Sequence, residues 1–359
     1  MRVGLVLGAG GVTGGSWLTG ALHALVEETR WDPGSADVVV GTSAGSVVGT
    51  IVAAGGVPPW FMVAHSAGEV FDGLYDRQGR PTAEADRTGG ASYRLHRGLP
   101  VPGPGSWRLA LGALRRPSRH PLTAVLAGWA PAGVISTDPL RAIVRSAVPE
   151  GWGAHPELWI MACDYATGRR VAFGRDDAPE ADLADAVAAS CAIPGFYRPV
   201  RIGARRYVDG GVCSVSNLDV VADAGLDLVI CLNPSSSRTP NGGASGAMRA
   251  ANGRRLGHEA RKVRAAGTEV VLVQPTREDL AVMGPNPMSR ARRNEVIQTA
   301  MRTTAEALRA ADLRARLREL PPAPEHVRRR PPGPASEWPS FDEIAAARWA
   351  ERGPTRRAA

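Results

Sequence analysis

A chain of 359 residues, 44% hydrophobic and 22% charged, can bury a large core and is far from the composition of a disordered protein. No run of about 18 apolar residues is present, which excludes a membrane-spanning helix, and four cysteines without a C-x-x-C pair point to buried free thiols rather than disulfides or a metal centre. The formal charge of +8 admits two accounts, solvated arginine-rich faces in a chain whose only lysine is Lys262, or attraction to anionic membrane surfaces; nucleic acid is not expected, because no aromatics interleave with the charges.

The first predicted element is a buried strand, Val3 to Leu7, running into Gly8-Ala9-Gly10-Gly11-Val12-Thr13-Gly14-Gly15 and then a helix over Ser16 to Glu28. A strand that begins at Val3 leaves no room for a signal peptide, so a cytoplasmic protein is expected. Successive backbone N–H groups in such a glycine loop can converge on one anionic oxygen. Three groups would use that cradle: a dinucleotide pyrophosphate, a nucleotide phosphate, or the oxyanion of a tetrahedral acyl intermediate. The dinucleotide fingerprint G-x-G-x-x-G fails, since counting from Gly8 puts Thr13 at the third glycine, and the Gly-Lys-Ser/Thr end of a P-loop is absent. The oxyanion reading fits best.

Next come a strand over Asp37 to Val40, the pentapeptide Gly41-Thr42-Ser43-Ala44-Gly45, and a helix over Ala44 to Ala54. A lone G-x-S-x-G can be an ordinary Gly-rich turn, but strand, turn and helix in this order form the setting of a nucleophile elbow. There the glycines permit a cramped turn and the Ser43 hydroxyl is presented at the end of a sheet. The segment 59–131 is Pro-, Gly- and Arg-rich, with Pro100-Val101-Pro102-Gly103-Pro104-Gly105 as a breaker run. Its position after the nucleophile helix suits a lid, and a surface excursion fits equally; Trp60-Phe61-Met62 and Trp107 would line an acyl pocket or hold the lid down.

Beyond the insert, a helix is predicted over Pro139 to Val148, strands over Leu158 to Tyr165 and Arg170 to Phe173, a helix over Leu183 to Ala189 and a strand over Val200 to Val208. That strand ends in Tyr207-Val208-Asp209-Gly210-Gly211. Asp-Gly-Gly is commonly a surface turn, but an Asp leaving a strand can also be held, partly desolvated, beside another strand end, where it is basic enough to take a proton from serine. Then follow a helix over Asn217 to Ala224, a strand over Leu226 to Leu232, a helix over Met248 to Ala266, a strand over Glu269 to Gln274 and a helix over Met288 to Leu320. Pro321-Pro322-Ala323-Pro324, Arg328 to Arg330 and Pro331 to Pro334 suggest an extended linker, with a short amphipathic candidate at Phe341 to Ala350. Alternating strands and helices imply an α/β fold with a mostly parallel sheet, divided as a catalytic domain over 1–320, carrying the 59–131 insert, and a tail over 321–359.

Leu5-Val6-Leu7-Gly8-Ala9-Gly10-Gly11-Val12-Thr13-Gly14, Gly41-Thr42-Ser43-Ala44-Gly45, Ala189-Ser190-Cys191-Ala192-Ile193-Pro194-Gly195-Phe196-Tyr197-Arg198-Pro199 and Asp209-Gly210-Gly211 resemble, in order and spacing, the patatin-like phospholipases. Trp159 to Phe173 and Leu226 to Leu232 are similar to that family as well, and the resemblance runs from Met1 to about Pro275 except between about Pro59 and Pro131. It implies a three-layer α/β/α fold and a Ser-Asp dyad, with Ser43 as nucleophile, Asp209 as base, the amides of Gly8, Ala9, Gly10 and Gly11 as oxyanion hole, and Gly41, Gly45, Gly210 and Gly211 in support. None of the seven histidines sits in a comparable motif, in keeping with a dyad. Thr13 departs from the family, many of whose members carry a basic residue there. The expected function is hydrolysis of lipid esters, without metal or cofactor, at or near an anionic membrane. An acyltransferase, a thioesterase and a non-catalytic nucleotide-binding protein are the alternatives, and nothing in the sequence bears on oligomeric state.

Overall fold

Eight strands build one sheet: Val3–Leu7 (β1), Val38–Thr42 (β2), Leu158–Asp164 (β3), Arg170–Phe173 (β4), Val200–Ile202 (β5), Arg205–Asp209 (β6), Leu228–Leu232 (β7) and Glu269–Val273 (β8). In the computed structural model, residues 1–67, 95, 103–115, 122–149, 151–153, 155–237, 243–334, 337–340, 343–344, 346–347 and 350 are described. β1, β2, β3 and β7 are buried at every position, the pattern of strands covered on both faces. The order β3-β2-β1-β7-β8 is parallel throughout, while β4 and β6 pair antiparallel with β3, and β5 with β6.

The described helices are Gly11–Thr29 (α1), Ala44–Gly49 (α2), Pro59–Ser66 (α3), Trp107–Arg115 (α4), Leu122–Trp129 (α5), Asp138–Ala147 (α6), Leu183–Ser190 (α7), Gly243–Ala265 (α8), Arg277–Met283 (α9), Arg293–Leu308 (α10), Ala311–Leu317 (α11) and Glu325–Arg328 (α12). Alternate strand residues divide between two cores. Leu5, Leu7, Val39, Ile160 and Ile230 meet Trp17, Leu22, Val187, Val296 and Ala300 from α1, α7 and α10. Val6, Val40, Met161, Val229 and Cys231 meet Leu218, Leu256, Ala260 and Val263 on the opposite face. The result is the expected three-layer α/β/α arrangement. Helix α1 passes very close to α10, since a β-carbon built on Gly20 would stand 2.3 Å from the Ile297 carbonyl oxygen.

Several elements differ from expectation, each for a local reason. The strand expected over Val200 to Val208 is a hairpin, turned at Gly203 with φ 58°. Asn217 to Ala224 is only a 3-10 turn, Leu218–Val221, entered through Asn217 in the left-handed region. The helix after Ser43 changes from α to π over Thr50–Ala54. The long helix expected to reach Leu320 is broken between α10 and α11, and α9, opened by a Thr276/Asp279 capping box, was not expected.

The insert contributes helices α3, α4 and α5, and Trp60, Phe61 and Met62 are buried in the main core rather than facing a pocket. Of the expected lid, residues 68–94, 96–102 and 116–121 lie outside the described residues, as do Phe341 and Trp349 of the amphipathic candidate. The beginning of the tail is docked rather than extended. Ala323 and Val327 pack on Val26 of α1, the Ala323 N–H donates to the Arg30 carbonyl, and Trp60 Nε1 donates to the His326 carbonyl. Among the described residues no helix is long and apolar enough to cross a membrane.

Candidate active site

Ser43 follows directly on β2 and has φ 52° and ψ −120°, a conformation that costs a non-glycine residue about 1–3 kcal/mol unless its surroundings impose it. The surroundings are built for that. The Ser43 N–H donates to Ser190 Oγ at 2.8 Å, and the Ser190 hydroxyl donates to the Met161 carbonyl at 2.6 Å, tying the turn to α7 and β3. A β-carbon on Gly45 would lie 2.1 Å from the Leu7 carbonyl oxygen, and one on Gly41 would lie 2.5 Å from Ser46 Cα, so both motif glycines are steric requirements of the turn.

Asp209 reaches the same place by the register of β3. One edge of β3 pairs with β4 over Ile160 to Cys163. The opposite edge pairs first with β2, ending at Met161 opposite Thr42, and then with β6, beginning at Ala162 opposite Asp209. Thr42 and Asp209 thus face successive residues of one strand edge, which brings the Ser43 turn and the Asp209 carboxyl together. Gly210 lies so close to β3 that a β-carbon there would be 2.3 Å from the Met161 carbonyl oxygen, and one on Gly211 would be 3.5 Å from Ala9 Cβ. The glycine loop therefore adjoins both other stretches, Gly45 approaching it at the Gly8 carbonyl and Gly211 at Ala9.

Asp209 is 6% exposed. Burial pushes its carboxyl up to about 6 from an ordinary 3.8, against a hydrogen bond from Ser43 and one from the Gly211 N–H, 2.7 Å from Oδ1. Among the described residues no imidazole enters that balance. Cys191, close to the Ser43 turn with its Sγ 3.8 Å from Ser46 Oγ, has its thiol pushed up to about 12 by burial and is protonated at neutral pH.

The glycine loop requires a correction. Of the four amides expected to form one cradle, the Gly8 N–H donates to the Leu232 carbonyl at 2.9 Å and the Ala9 N–H to the Val215 carbonyl at 2.7 Å. Gly8 still continues the β1–β7 ladder, and Ala9 is held by the segment after Asp209. Helix α1 begins at Gly11, earlier than expected, and among the described residues no carbonyl accepts from the N–H groups of Gly10 and Gly11. Two donors at an uncapped helix N-terminus remain where four were expected. A cavity of about 100 Å³ abuts the loop through Thr13 and is also walled by Asn286, Ser289 and Arg292.

Four further residues hold these parts and were not read from the sequence. Ser190 fixes the elbow. Asn217 Nδ2 donates to Thr42 Oγ1 at 3.0 Å and to the Ser214 carbonyl at 2.6 Å. The buried Glu259 carboxylate accepts from the Ser214 and Ser216 hydroxyls and the Leu218 N–H. Ser235 donates to the Ala9 carbonyl. Only Ser190 carried a signal, its place in the Ala189-to-Pro199 block.

In class, the molecule is an α/β protein whose parallel sheet presents a serine on a strained turn beside a buried carboxylate. The sequence profile of the patatin-like phospholipases matches residues 5–222, more than half the chain. The chain belongs to the patatin-like phospholipase family. Among solved structures, VipD from Legionella pneumophila is similar over 86% of this chain and 66% of its own, at 14% identity and a TM-score of 0.40. This chain spans just under two thirds of that chain's length.

Proposed function

We propose that the protein is a serine acyl hydrolase cleaving carboxylic esters of lipids, in the manner of a phospholipase A or lipase, with Ser43 as nucleophile and Asp209 as base. The reading rests above all on the β3 register that sets Thr42 and Asp209 side by side. Asp209, more basic than a solvated aspartate yet ionised at neutral pH, takes the Ser43 proton as Oγ attacks the ester carbonyl. The carbonyl electrons move to oxygen, where the Gly10 and Gly11 N–H groups receive the charge. Collapse of the adduct breaks the ester C–O bond, the alcohol leaves with the proton from Asp209, and a water activated by the same carboxylate releases the acid from Ser43. Loss of one oxyanion donor typically costs on the order of 3 kcal/mol, so the two remaining amides carry weight comparable to the dyad. No step calls on a metal or cofactor.

An acyltransferase or thioesterase would use the same acyl-serine with another acceptor or leaving group, and product analysis with water and alcohol acceptors on one acyl donor separates them. The decisive test of the reading is a fluorophosphonate probe. Labelling of the folded wild type, lost in Ser43→Ala, is expected. A folded wild type that resists labelling would sink the hydrolase reading and favour a nucleotide-binding role for the glycine loop.

We further read the protein as a cytoplasmic one that meets anionic membrane at its surface. Of the eight large apolar side chains exposed among the described residues, six lie between 95 and 134: Leu95, Trp107, Leu111, Leu126, Trp129 and Val134. Helices α4 and α5 bury their inner face on Val208, Val212 and Cys213, and Thr123 Oγ1 donates to the Val212 carbonyl at 2.6 Å, three residues beyond Asp209. Their outer face carries the Trp107 and Trp129 rings, 6.4 Å apart, beside the exposed Arg108, a combination suited to the interfacial zone of a bilayer.

A further inference from the structure

Ser235 touches neither Ser43 nor Asp209 in the proposed chemistry, yet its hydroxyl donates to the Ala9 carbonyl at 2.5 Å across 226 residues of sequence. The same residue is held from its other side, because the Ala9 N–H donates to the Val215 carbonyl at 2.7 Å. Val215 is itself fixed. Its neighbours Ser214 and Ser216 donate their hydroxyls to the buried Glu259 at 2.7 and 2.6 Å, and the Leu218 N–H donates to that carboxylate at 3.0 Å. Ser235 is anchored in turn by its own N–H, which donates to Asn233 Oδ1 at 3.1 Å. Both peptide groups of Ala9 are therefore clamped, one through its N–H and the other through its carbonyl.

The second clamp has a chemical consequence. The peptide between Ala9 and Gly10 is trans, so its C=O and N–H point in opposite directions. A hydroxyl that fixes the Ala9 carbonyl on one side fixes the direction of the Gly10 N–H on the other. Rotation of that peptide plane turns on Ala9 ψ and Gly10 φ, and a glycine offers little steric resistance to it. Pro234 closes on the loop as well, its Cγ lying 2.7 Å from where a β-carbon of Gly10 would stand, but a ring contact blocks a side chain and does not orient a dipole.

We propose that Ser235 is a positioning residue: through the Ala9 carbonyl it aims the Gly10 N–H at the oxygen that becomes negatively charged when Ser43 attacks. This rests on the hydrolase reading of the site. The alternative is that Ser235 only satisfies a buried carbonyl.

The experiment compares wild type, Ser235→Ala, Ser235→Thr and Ser236→Ala on a soluble aryl ester and its thionoester, in which sulfur replaces the carbonyl oxygen and accepts hydrogen bonds poorly. Ser236 is the control, because its hydroxyl donates to the Asn233 carbonyl and accepts from Gln274 Nε2 and makes no hydrogen bond to the glycine loop among the described residues. Ser235→Ala is expected to lower kcat on the oxygen ester about 10-fold or more, short of the 100- to 1000-fold that follows outright removal of a donor, with KM within about twofold. Its preference for oxygen ester over thionoester should shrink by a similar factor, Ser235→Thr should restore both, and Ser236→Ala should change neither. Should Ser235→Ala fail to fold, Ser235→Cys, which keeps a weaker donor, is expected to give an intermediate kcat and an intermediate preference. Wild-type kcat and preference in the folded Ala or Cys variant overturn the inference, whatever happens to thermal stability. Fluorophosphonate labelling of the wild type is scored first: if it fails, both readings fall, whereas labelling with an insensitive Ser235 removes only this one.

Discussion

Burial of Asp209 makes it a better base and a costlier anion at once. Its carboxyl holds a proton up to about pH 6, so kcat/KM on a soluble ester should fall about tenfold per unit below that pH and level off above it. Stability runs the other way. The folded-state value lies above the unfolded value near 3.8, so the group contributes stability in full below about pH 4 and loses it as pH rises through about 6. At pH 7.5 the wild type therefore carries a buried charge whose cost is on the order of 1–3 kcal/mol. Asp209→Asn, which can keep the bond from the Gly211 N–H, is expected to be more stable than wild type by about that amount at pH 7.5, with the difference vanishing near pH 4, while turnover drops by several orders of magnitude. Urea unfolding at the two pH values checks the first part. Equal stability at pH 7.5 would mean that Asp209 is not the strained anion described here, and near-normal turnover would remove it from the mechanism.

At the scale of elements, α4 and α5 form a unit whose inner face belongs to the core and whose outer face has no partner among the described residues. Trp107→Ala combined with Trp129→Ala is expected to weaken binding to anionic vesicles at least tenfold, each exposed indole offering an interfacial anchor, and to leave hydrolysis of a soluble ester within about twofold of wild type. Added salt should weaken wild-type binding further through the arginines. Vesicle sedimentation unchanged by the substitutions would assign the face another role. Most of the sheet was legible because buried parallel strands read as short apolar runs, and the elbow because Gly41 and Gly45 follow one of them. The turn at Gly203 was not, since Val200 to Val208 has no strong Gly-Asn or Asn-Gly signal, and the seven residues of α9 are too few to show a helical apolar period although Thr276 and Asp279 stand at capping-box spacing. The clamps on the site were out of reach for a different reason. Ser190 meets Ser43 across 147 residues and Ser235 meets Ala9 across 226, and such pairings leave no local pattern.

For the molecule as a whole, the described part of the tail is a strap on the α/β body. Val327 is 1% exposed, Trp338 stacks edge-on against Trp60 at 5.5 Å, and His23 of α1 has its imidazole pushed down to about 4 by burial and by Arg330. Deleting residues 321–359 uncovers Val26 and Trp60 and should cost on the order of 3 kcal/mol of stability, read as a lower urea midpoint; an unchanged midpoint would show that the strap contributes nothing. The proposed active site is built on a different principle. Because β2 and β6 abut end to end along β3, the β3 partners of Thr42 and Asp209, Met161 and Ala162, lie one backbone step of about 3.3 Å apart, and this step sets the proposed nucleophile beside the proposed base as on a ruler. A slip of β6 by a single residue would turn the carboxylate to the wrong side of the sheet.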